Sequence, residues 1–231
     1  MLDELSNLTL KNNNLEGEIL IQLCKLQKLS LIDLSQNLLL GHIPSCLNIT
    51  TFDEDYKVGP SIAQAPKASY AQPPEPISTN EPVYFTTKNV LYSYKGKLLT
   101  YMSGIDLSYN KLTGEIPNEI GHLNKIHVLN LSHNFLVGQI PSTFSNLEQV
   151  ESLDLSYNNL SGKIPPQLVQ LHYLSTFRVA YNNLSGKTPE RVGQFGTFDE
   201  SCYHGNPLLC GEPMKSCSAA SSPSLIQGGP T

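Results

Sequence analysis

Tryptophan is absent from the 231-residue chain, charged residues make up only 15% of it, and no long apolar run occurs. The formal net charge of −5 argues against nucleic acid or an anionic membrane as a partner reached through bulk charge. No segment approaches the roughly 20 apolar residues that span a bilayer. We therefore expect membrane attachment only through a transmembrane helix absent from this chain. The first residues also lack the basic and apolar regions of a secretory signal peptide.

Sequence patterns of enzymes and metal sites are missing as well. The six histidines are scattered, without the H-E-x-x-H or Cys/His spacing of zinc sites, and no G-x-S-x-G or glycine-rich phosphate loop occurs. Asp106 and Asp154 lie two repeats apart on a surface that we expect to be open to water, which does not favour catalysis by paired carboxylates. The sequence predicts a non-enzymatic protein without a metal or a cofactor.

The sequence instead contains a 24-residue repeat, L-x-x-L-x-L-x-x-N-x-L-x-G-x-I-P, which is clearest over residues 150–165. Further copies begin at Leu5, Leu29, Met102, Ile126 and Leu174. Such a period is typical of a leucine-rich-repeat solenoid. Leucines two apart, as at Leu129 and Leu131, point the same way from a short strand. We therefore predict an α/β-type solenoid with a parallel β-sheet on the concave face, mostly 3-10 or irregular structure on the convex side, and little true α-helix.

One asparagine per repeat follows the predicted strand. These residues are Asn13, Asn37, Asn110, Asn134, Asn158 and Asn182. An asparagine side chain has one acceptor and two donors, and the backbone groups of a buried turn need partners. The spacing therefore predicts a column of asparagines that joins one coil to the next.

The repeats divide the chain unevenly. We predict two repeats over 1–48, an insertion over 49–97, four repeats over 98–197, a C-terminal cap over 198–217 and a polar linker over 218–231. The proline-rich stretch 60–82 is expected to be flexible, whereas the aromatic and β-branched segment 83–94 predicts one or two strands. Because residue 1 lies almost on a repeat boundary without a preceding cap, we expect the chain to be a piece of a longer protein.

Cysteines and glycosylation sequons bear on the cellular compartment. Cys24 and Cys46 lie in adjacent coils at nearly the same phase, and Cys210 and Cys217 enclose a short loop, so we predict one disulfide within each pair. Cys202 is left over, and the sequence leaves its pairing open. The N-x-S/T sequons are at Asn7, Asn48, Asn130, Asn159 and Asn183. A reduced intracellular protein is the alternative. The sequons favour export, to the extracellular face of the plasma membrane or as a secreted protein.

Several motifs resemble those of one protein family. They are the G-x-I-P repeat, Leu23-Cys24 followed by Ile43-Pro44-Ser45-Cys46, the insertion before the last four repeats, its exit Phe85-Thr-Thr-Lys88…Tyr94-Lys95-Gly96, and the close Gly205-Asn-Pro-Leu-Leu-Cys210-Gly. Over about residues 5–217 the chain resembles the plant receptor-like proteins. The resemblance implies a cell-surface receptor without a kinase domain of its own, which perceives pathogen-derived or developmental cues and signals through partner receptor kinases.

The resemblance and the repeat together predict a partner-binding surface. The predicted concave-face residues are Asp106, Tyr109, Asn130, His133, Asp154, Tyr157, Arg178 and Tyr181, in two columns that begin at Asp33 and Gln36. The predicted partner-binding residues of the insertion are Lys88, Tyr92, Tyr94 and Lys95. The expected partners are a co-receptor kinase ectodomain and a peptide or protein ligand. The alternative for the aromatic column is that consensus residues merely stack on each other, and for Lys88 that it is an ordinary solvated strand residue.

Three other functions stay open at this point. The chain could be a secreted inhibitor of a cell-wall-degrading enzyme, similar to the polygalacturonase-inhibiting proteins, although the insertion argues against it. It could be part of the ectodomain of a leucine-rich-repeat receptor kinase. It could also be a truncated gene product without a function.

Overall fold

The computed structural model describes residues 4–47, 82–88, 90–96, 99 and 101–217. Asn48, the predicted linker 218–231 and nearly all of the proline-rich stretch 60–82 lie outside these residues.

Six three-residue strands form a parallel sheet in the order β1-β3-β7-β9-β11-β13. They are β1 (Asn7–Thr9), β3 (Leu31–Asp33), β7 (Gly104–Asp106), β9 (Val128–Asn130), β11 (Ser152–Asp154) and β13 (Thr176–Arg178). The central residue of each strand from β3 onward, such as Leu129 or Leu153, is fully buried or nearly so. Burial of one Leu, Ile or Phe side chain stabilises the fold by about 1.5–3 kcal/mol, so each coil is held by its own set.

A second row of parallel strands follows the asparagine turn of each coil. One sheet has the order β10-β8-β4-β2 and another has the order β12-β14-β15. The strands are β2 (Glu16–Glu18), β4 (Leu38–Gly41), β8 (Lys111–Glu115), β10 (Phe135–Val137), β12 (Ser161–Gly162), β14 (Asn183–Lys187) and β15 (Leu208–Cys210). An isolated parallel bridge between Gln139 and Ser161 connects the two sheets.

Short 3-10 helices return the chain over the convex side. They span Ile21–Lys25, Asn118–His122, Ser142–Asn146, Pro166–Gln170, Gly193–Gly196 and Glu200–Cys202. Three of them start directly after the proline of the I-P pair, whose φ is near −60°. Proline has this φ and no N–H, which suits the start of a helical turn. The predicted fold class, a parallel concave sheet with 3-10 turns on the convex side, is confirmed.

The asparagine column joins neighbouring coils as predicted. Asn158 Oδ1 accepts from Leu136 N at 3.1 Å, while Asn158 Nδ2 donates to the carbonyls of Leu131 and Leu155 at 3.0 and 3.2 Å. Asn37, Asn110, Asn134 and Asn182 make the same set of bonds.

The column continues one coil beyond the last predicted repeat. Asn206 Oδ1 accepts from Leu184 N at 2.9 Å and Asn206 Nδ2 donates to Val179 O at 2.9 Å. Strand β15 pairs with β14 in the same parallel manner. The segment predicted as a cap therefore contains a degenerate coil of the solenoid, which the repeat pattern missed.

The insertion leaves the solenoid unbroken. Leu31 of β3 pairs with Gly104 of β7, so the coils on either side of the insertion stack directly. The bond from Leu39 N to Asn110 Oδ1 spans 71 residues, whereas the equivalent bond elsewhere in the column spans 22. The described end of the insertion is an antiparallel hairpin of β5 (Val83–Thr87) and β6 (Val90–Tyr94).

The hairpin packs on the concave sheet through Phe85. The Phe85 side chain is fully buried in a cluster with Leu31 and Val128. A Cβ atom on Gly104 would lie 2.7 Å from the Phe85 ring, so glycine at this position lets the ring reach the sheet. The hairpin is thereby fixed over the middle strands of the solenoid.

Candidate functional site

Four aromatic side chains form a continuous stack along one edge of the concave face. We call this stack, Tyr109, His133, Tyr157 and Tyr181, the aromatic ladder. Neighbouring ring centroids are 3.9, 4.1 and 4.4 Å apart, and the rings are nearly parallel, with interplanar angles of 12–16°. Each residue has a positive φ of 53–55° at the turn after its strand. The repeated left-handed turn projects each ring in the same direction, one coil apart, which produces the stack.

The ladder remains accessible to solvent. Tyr109, Tyr157 and Tyr181 expose 51%, 43% and 44% of their surface. Stacking within the chain, which the sequence left as the alternative to partner binding, therefore occurs, and it leaves nearly half of each tyrosine free for contact. The stack ends at Gly205, where a Cβ atom would lie 2.6 Å from Tyr181 Cδ1.

Two members of the ladder, His133 and Tyr157, have shifted pKa values. Desolvation by burial lowers the pKa of His133 below its ordinary value, and the nearby Asp154 carboxylate opposes this shift only in part. Desolvation and the adjacent Tyr181 raise the pKa of the Tyr157 phenol. The ladder presents an amphipathic surface, apolar on the rings and polar at the tyrosine hydroxyls.

The acidic column beside the ladder is buried, which corrects the prediction that Asp106 and Asp154 face a partner. Asp33, Asp106 and Asp154 expose no more than 6% of their surface. Asp106 Oδ1 accepts hydrogen bonds from Ser108 N and Ser108 Oγ at 3.0 and 2.6 Å. Such a side chain closes the turn after its own strand and has no surface left for a partner.

The same turn recurs in the other coils. Ser35, Ser132 and Ser156 donate in the same way to Asp33, Asn130 and Asp154. Asn130 is half-buried, and Arg178 at the end of the column is exposed. The D/N-L-S spacing of these coils is an Asx-turn signal that the sequence already contains.

Asp33 and Asp106 form a buried carboxyl pair on neighbouring strands, since they are partners in the β3–β7 register. Burial, and secondarily the Asp33 charge, raise the pKa of Asp106 to about 6, although bonds from Ser108 and the charge of Lys11 lower it. Asp33 Oδ2 is buried without a hydrogen-bond partner among the described residues. The pair is a local cost to stability near neutral pH.

Polar contacts hold the turn end of the hairpin on the solenoid. Lys88 Nζ lies 2.9 Å from Glu151 Oε2 on the solenoid, and Lys11 Nζ donates to Thr86 Oγ1 at 2.9 Å. Tyr94 is half-buried and its hydroxyl lies 2.8 Å from Thr87 Oγ1 within the hairpin. Of the four predicted insertion residues, Lys88 thus joins the hairpin to a repeat and Tyr94 braces it, while Tyr92 and Lys95 are exposed.

A cleft of about 760 Å³ separates the hairpin from the first coils. Polar residues such as Thr9, Lys11 and Gln36 line one side, and Val83 and Tyr84 of the hairpin line the other. Clefts of this size and mixed character hold small ligands or short peptide segments.

The structure separates the predicted modification sites into two groups. Asn159 and Asn183 are exposed, whereas Asn7 is half-buried with its Nδ2 donating to Ser6 Oγ. Asn130 is also half-buried, in the turn described above. The disulfides are Cys24–Cys46 and Cys210–Cys217, with Cα–Cα distances of 5.6 and 4.9 Å, and Cys202 is a free, half-buried thiol.

Two kinds of feature are absent from the part of the chain that the structure describes. None of its helices has the length and apolar character needed to cross a bilayer. Across the same residues, no three His, Cys, Asp or Glu side chains are grouped so as to hold a metal ion.

Comparison with known proteins places the repeats in a family. Models of the leucine-rich repeat match residues 125–184 and 102–123. Putative receptor-like protein 8 of Arabidopsis thaliana is 54% identical over 227 residues, covering 90% of this chain and 22% of that protein. Cuscuta receptor 1 of Solanum lycopersicum is 77% identical over 132 residues, which are 57% of this chain and 12% of that protein. The chain thus spans less than a quarter of the length of these relatives.

A solved structure shows the same architecture. The leucine-rich-repeat ectodomain of the plant membrane receptor kinase GASSHO1/SCHENGEN3 from Arabidopsis thaliana, in complex with CASPARIAN STRIP INTEGRITY FACTOR 2, superimposes with a TM-score of 0.60 at 25% identity. The match covers 94% of this chain and 23% of that ectodomain.

Proposed function

We propose, from the premise that this chain is a leucine-rich-repeat protein of the plant receptor-like type, that it is the part of a cell-surface receptor that assembles with a co-receptor kinase ectodomain. It would act by recognition alone, without catalysis, in defence or developmental signalling.

The aromatic ladder is the observation that supports this proposal most strongly. Tyrosine is enriched among the residues that dominate protein–protein binding energies. The rings of the aromatic ladder are held in one orientation by stacking, with centroids at most 4.4 Å apart. Because the ladder rings are already ordered, binding a partner would cost little of their side-chain entropy, which favours binding. The exposed Arg178 beside the ladder is suited to the polar rim of such a contact.

We also propose that the hairpin contacts the co-receptor. Its exposed side chains include Tyr84, Leu91 and Tyr92, and Phe85 anchors it to the concave sheet. An anchored element with outward aromatic residues is a suitable contact for a partner. Lys95 next to it is exposed and would contribute a positive charge.

For the ligand, we propose a peptide or protein segment held in the cleft between the hairpin and the first coils. The polar side formed by Thr9, Lys11 and Gln36 would bond its backbone or acidic groups, and Val83 and Tyr84 would cover apolar ones. The GASSHO1/SCHENGEN3 ectodomain was solved with a bound factor, which supports this kind of partner.

We further propose that the chain lies outside the cell, with both disulfides formed and with glycans on accessible sequons. The alternative that it is part of a receptor-kinase ectodomain is favoured by the likeness to GASSHO1/SCHENGEN3. The sequence that follows this segment in the complete transcript would separate the two.

The test is a binding screen. The full chain is produced in a secretory plant-cell host and measured by biolayer interferometry against immobilised leucine-rich-repeat ectodomains of plant receptor kinases. We expect saturable binding to at least one ectodomain with a Kd at or below about 10 μM. Absence of saturable binding across the panel would contradict the proposal. Inhibition of a polygalacturonase by the same preparation would favour the secreted-inhibitor alternative.

A further inference from the structure

We propose that Asn159 carries an N-linked glycan whose first sugar covers an exposed apolar strip on the neighbouring coil. The strip consists of Phe135 and Val137 in β10. The proposal rests on the export of the chain, which is one part of the proposed function, and not on any partner.

The strip is an exposed apolar face of the solenoid. Phe135 and Val137 expose 56% and 41% of their surface, while Leu136 between them is fully buried. Alternate residues of a strand point to opposite faces, so Phe135 and Val137 project together into solvent. In the next coil, the corresponding strand is polar, with Asn159 and Ser161 on the outer face.

The backbone places Asn159 directly beside Val137. Asn159 N donates to Leu136 O at 2.8 Å, and the parallel bridge pairs Gln139 with Ser161. Counting back two residues on each strand from this bridge places Val137 opposite Asn159. Paired residues of parallel strands lie about 4.8 Å apart and project to the same face. A group attached to the Asn159 side chain therefore starts next to the strip.

Asn159 is also chemically available. Its side chain is exposed. It begins the sequon Asn159-Leu160-Ser161. In the transfer step, Asn159 Nδ2 forms a bond to the anomeric carbon of a lipid-diphosphate sugar donor. The bond from that carbon to the diphosphate oxygen breaks, the lipid diphosphate leaves with the electron pair, and a base of the transferase accepts the amide proton.

The first sugar suits the strip. N-acetylglucosamine has an acetyl methyl group and a face of C–H groups, while its hydroxyls point to the rim of the ring. Packing that face on Phe135 and Val137 removes apolar surface from water on both sides. An aromatic ring adds to this contact through its large flat area.

Asn183 supplies a matched control. It is exposed and begins an Asn-Leu-Ser sequon one coil later, but its cross-strand partner is Ser161. A glycan on Asn183 would therefore meet a polar neighbour. Its removal should leave the apolar strip unchanged.

The experiment compares the full chain from a secretory plant-cell host with variants that lose one glycan or the strip. Peptide mass spectrometry measures occupancy at each sequon, and thermal unfolding measures Tm. We expect Asn159→Gln to lower Tm by about 2–4 °C and Asn183→Gln by less than about 1 °C. In a Phe135→Ser background, Asn159→Gln should then lower Tm by less than about 1 °C.

Two further measurements keep the result decisive. Ser161→Ala removes the glycan while keeping Asn159, and Phe135→Thr replaces the ring with a strand-favouring residue if the serine variant folds poorly. On protein trimmed to a single N-acetylglucosamine, NMR should show a nuclear Overhauser effect between the acetyl methyl and the Phe135 ring.

Either of two outcomes would overturn the inference. One is an unoccupied Asn159 in secreted protein. The other is an occupied Asn159 whose removal lowers Tm equally with and without the Phe135 ring. Neither readout uses a binding partner, so failure here is separable from failure of co-receptor assembly.

Discussion

Replacing Asn158 with alanine should lower the free energy of unfolding by about 3–5 kcal/mol, whereas Asn159→Ala should lower it by less than about 0.5 kcal/mol. The two residues are adjacent and chemically identical, and they differ in position within the coil. Asn158 is buried in the asparagine column and Asn159 is exposed.

The magnitude follows from the hydrogen bonds that Asn158 makes. Its Oδ1 accepts from Leu136 N, and its Nδ2 donates to the carbonyls of Leu131, Leu155 and Ser156 at 3.0–3.2 Å. Two donors and one acceptor amount to about three net bonds, each worth about 1 kcal/mol. Loss of the side chain also leaves Leu136 N buried without this partner, which adds about 1–2 kcal/mol, whereas Leu131 O keeps the hydrogen bond from Asn134 Nδ2.

The assay is urea unfolding of protein made in an oxidising bacterial periplasm, where the sequon at Asn159 stays unmodified. The free energy is obtained from the midpoint and slope of the transition. Hydrogen exchange then tests the cause, because the Leu136 amide should lose protection in Asn158→Ala and keep it in Asn159→Ala. Equal losses of less than about 1 kcal/mol in both variants would refute the idea that the asparagine column joins the coils.

Three other substitutions test the concave face and the hairpin. Because the pKa of Asp106 is raised from 3.8 to about 6, the folded protein should lose up to about 3 kcal/mol as the pH rises from about 4 to 6. Asp106→Asn should remove most of that loss, measured by urea unfolding at both pH values. Asparagine should fit the turn, since Asn130 occupies the equivalent turn in the next coil with the same bonds from serine. An unchanged pH dependence of stability would contradict the role of Asp106. Phe85→Ala should lower stability by about 3–5 kcal/mol and speed limited proteolysis within 83–94, because Phe85 is the buried anchor of the hairpin. Lys88→Ala should lower stability by less than about 1 kcal/mol, because its ion pair with Glu151 is well exposed, and equal effects of the two hairpin variants would contradict this ranking.

The fold was predictable because each coil repeats the same local instructions. Leucines two apart specify the strand, asparagine specifies the turn, and proline starts the 3-10 segment, so a periodic sequence needs few long-range decisions. The extra coil at Asn206 was missed because the repeat departs from its consensus there. Ser185 pairs with Leu208, 23 residues later, whereas earlier pairs in the same row, such as Ser161 with Asn183, are 22 residues apart.

The candidate site was less predictable. Spacing alone placed the rings of the aromatic ladder one coil apart, and it also placed the acidic column on the same face. The spacing did not show that the ladder is exposed while the acidic column is buried. The Asp side chains turn back onto their own serines, as Asp154 does at 2.6 Å from Ser156 Oγ. The position of the hairpin was not predictable either, because Phe85 meets Leu31 and Val128 only after residues distant in sequence have come together.

The most direct test of the account is the affinity of ladder variants for the ectodomain that binds best in the screen. Tyr157→Ala and Tyr181→Ala are compared with Tyr173→Ala, an exposed tyrosine outside the ladder. We predict that each ladder variant folds and raises Kd at least tenfold, while Tyr173→Ala leaves Kd within about twofold. Unchanged Kd in both ladder variants, with folding intact, would contradict the claim that the aromatic ladder is the partner-binding surface.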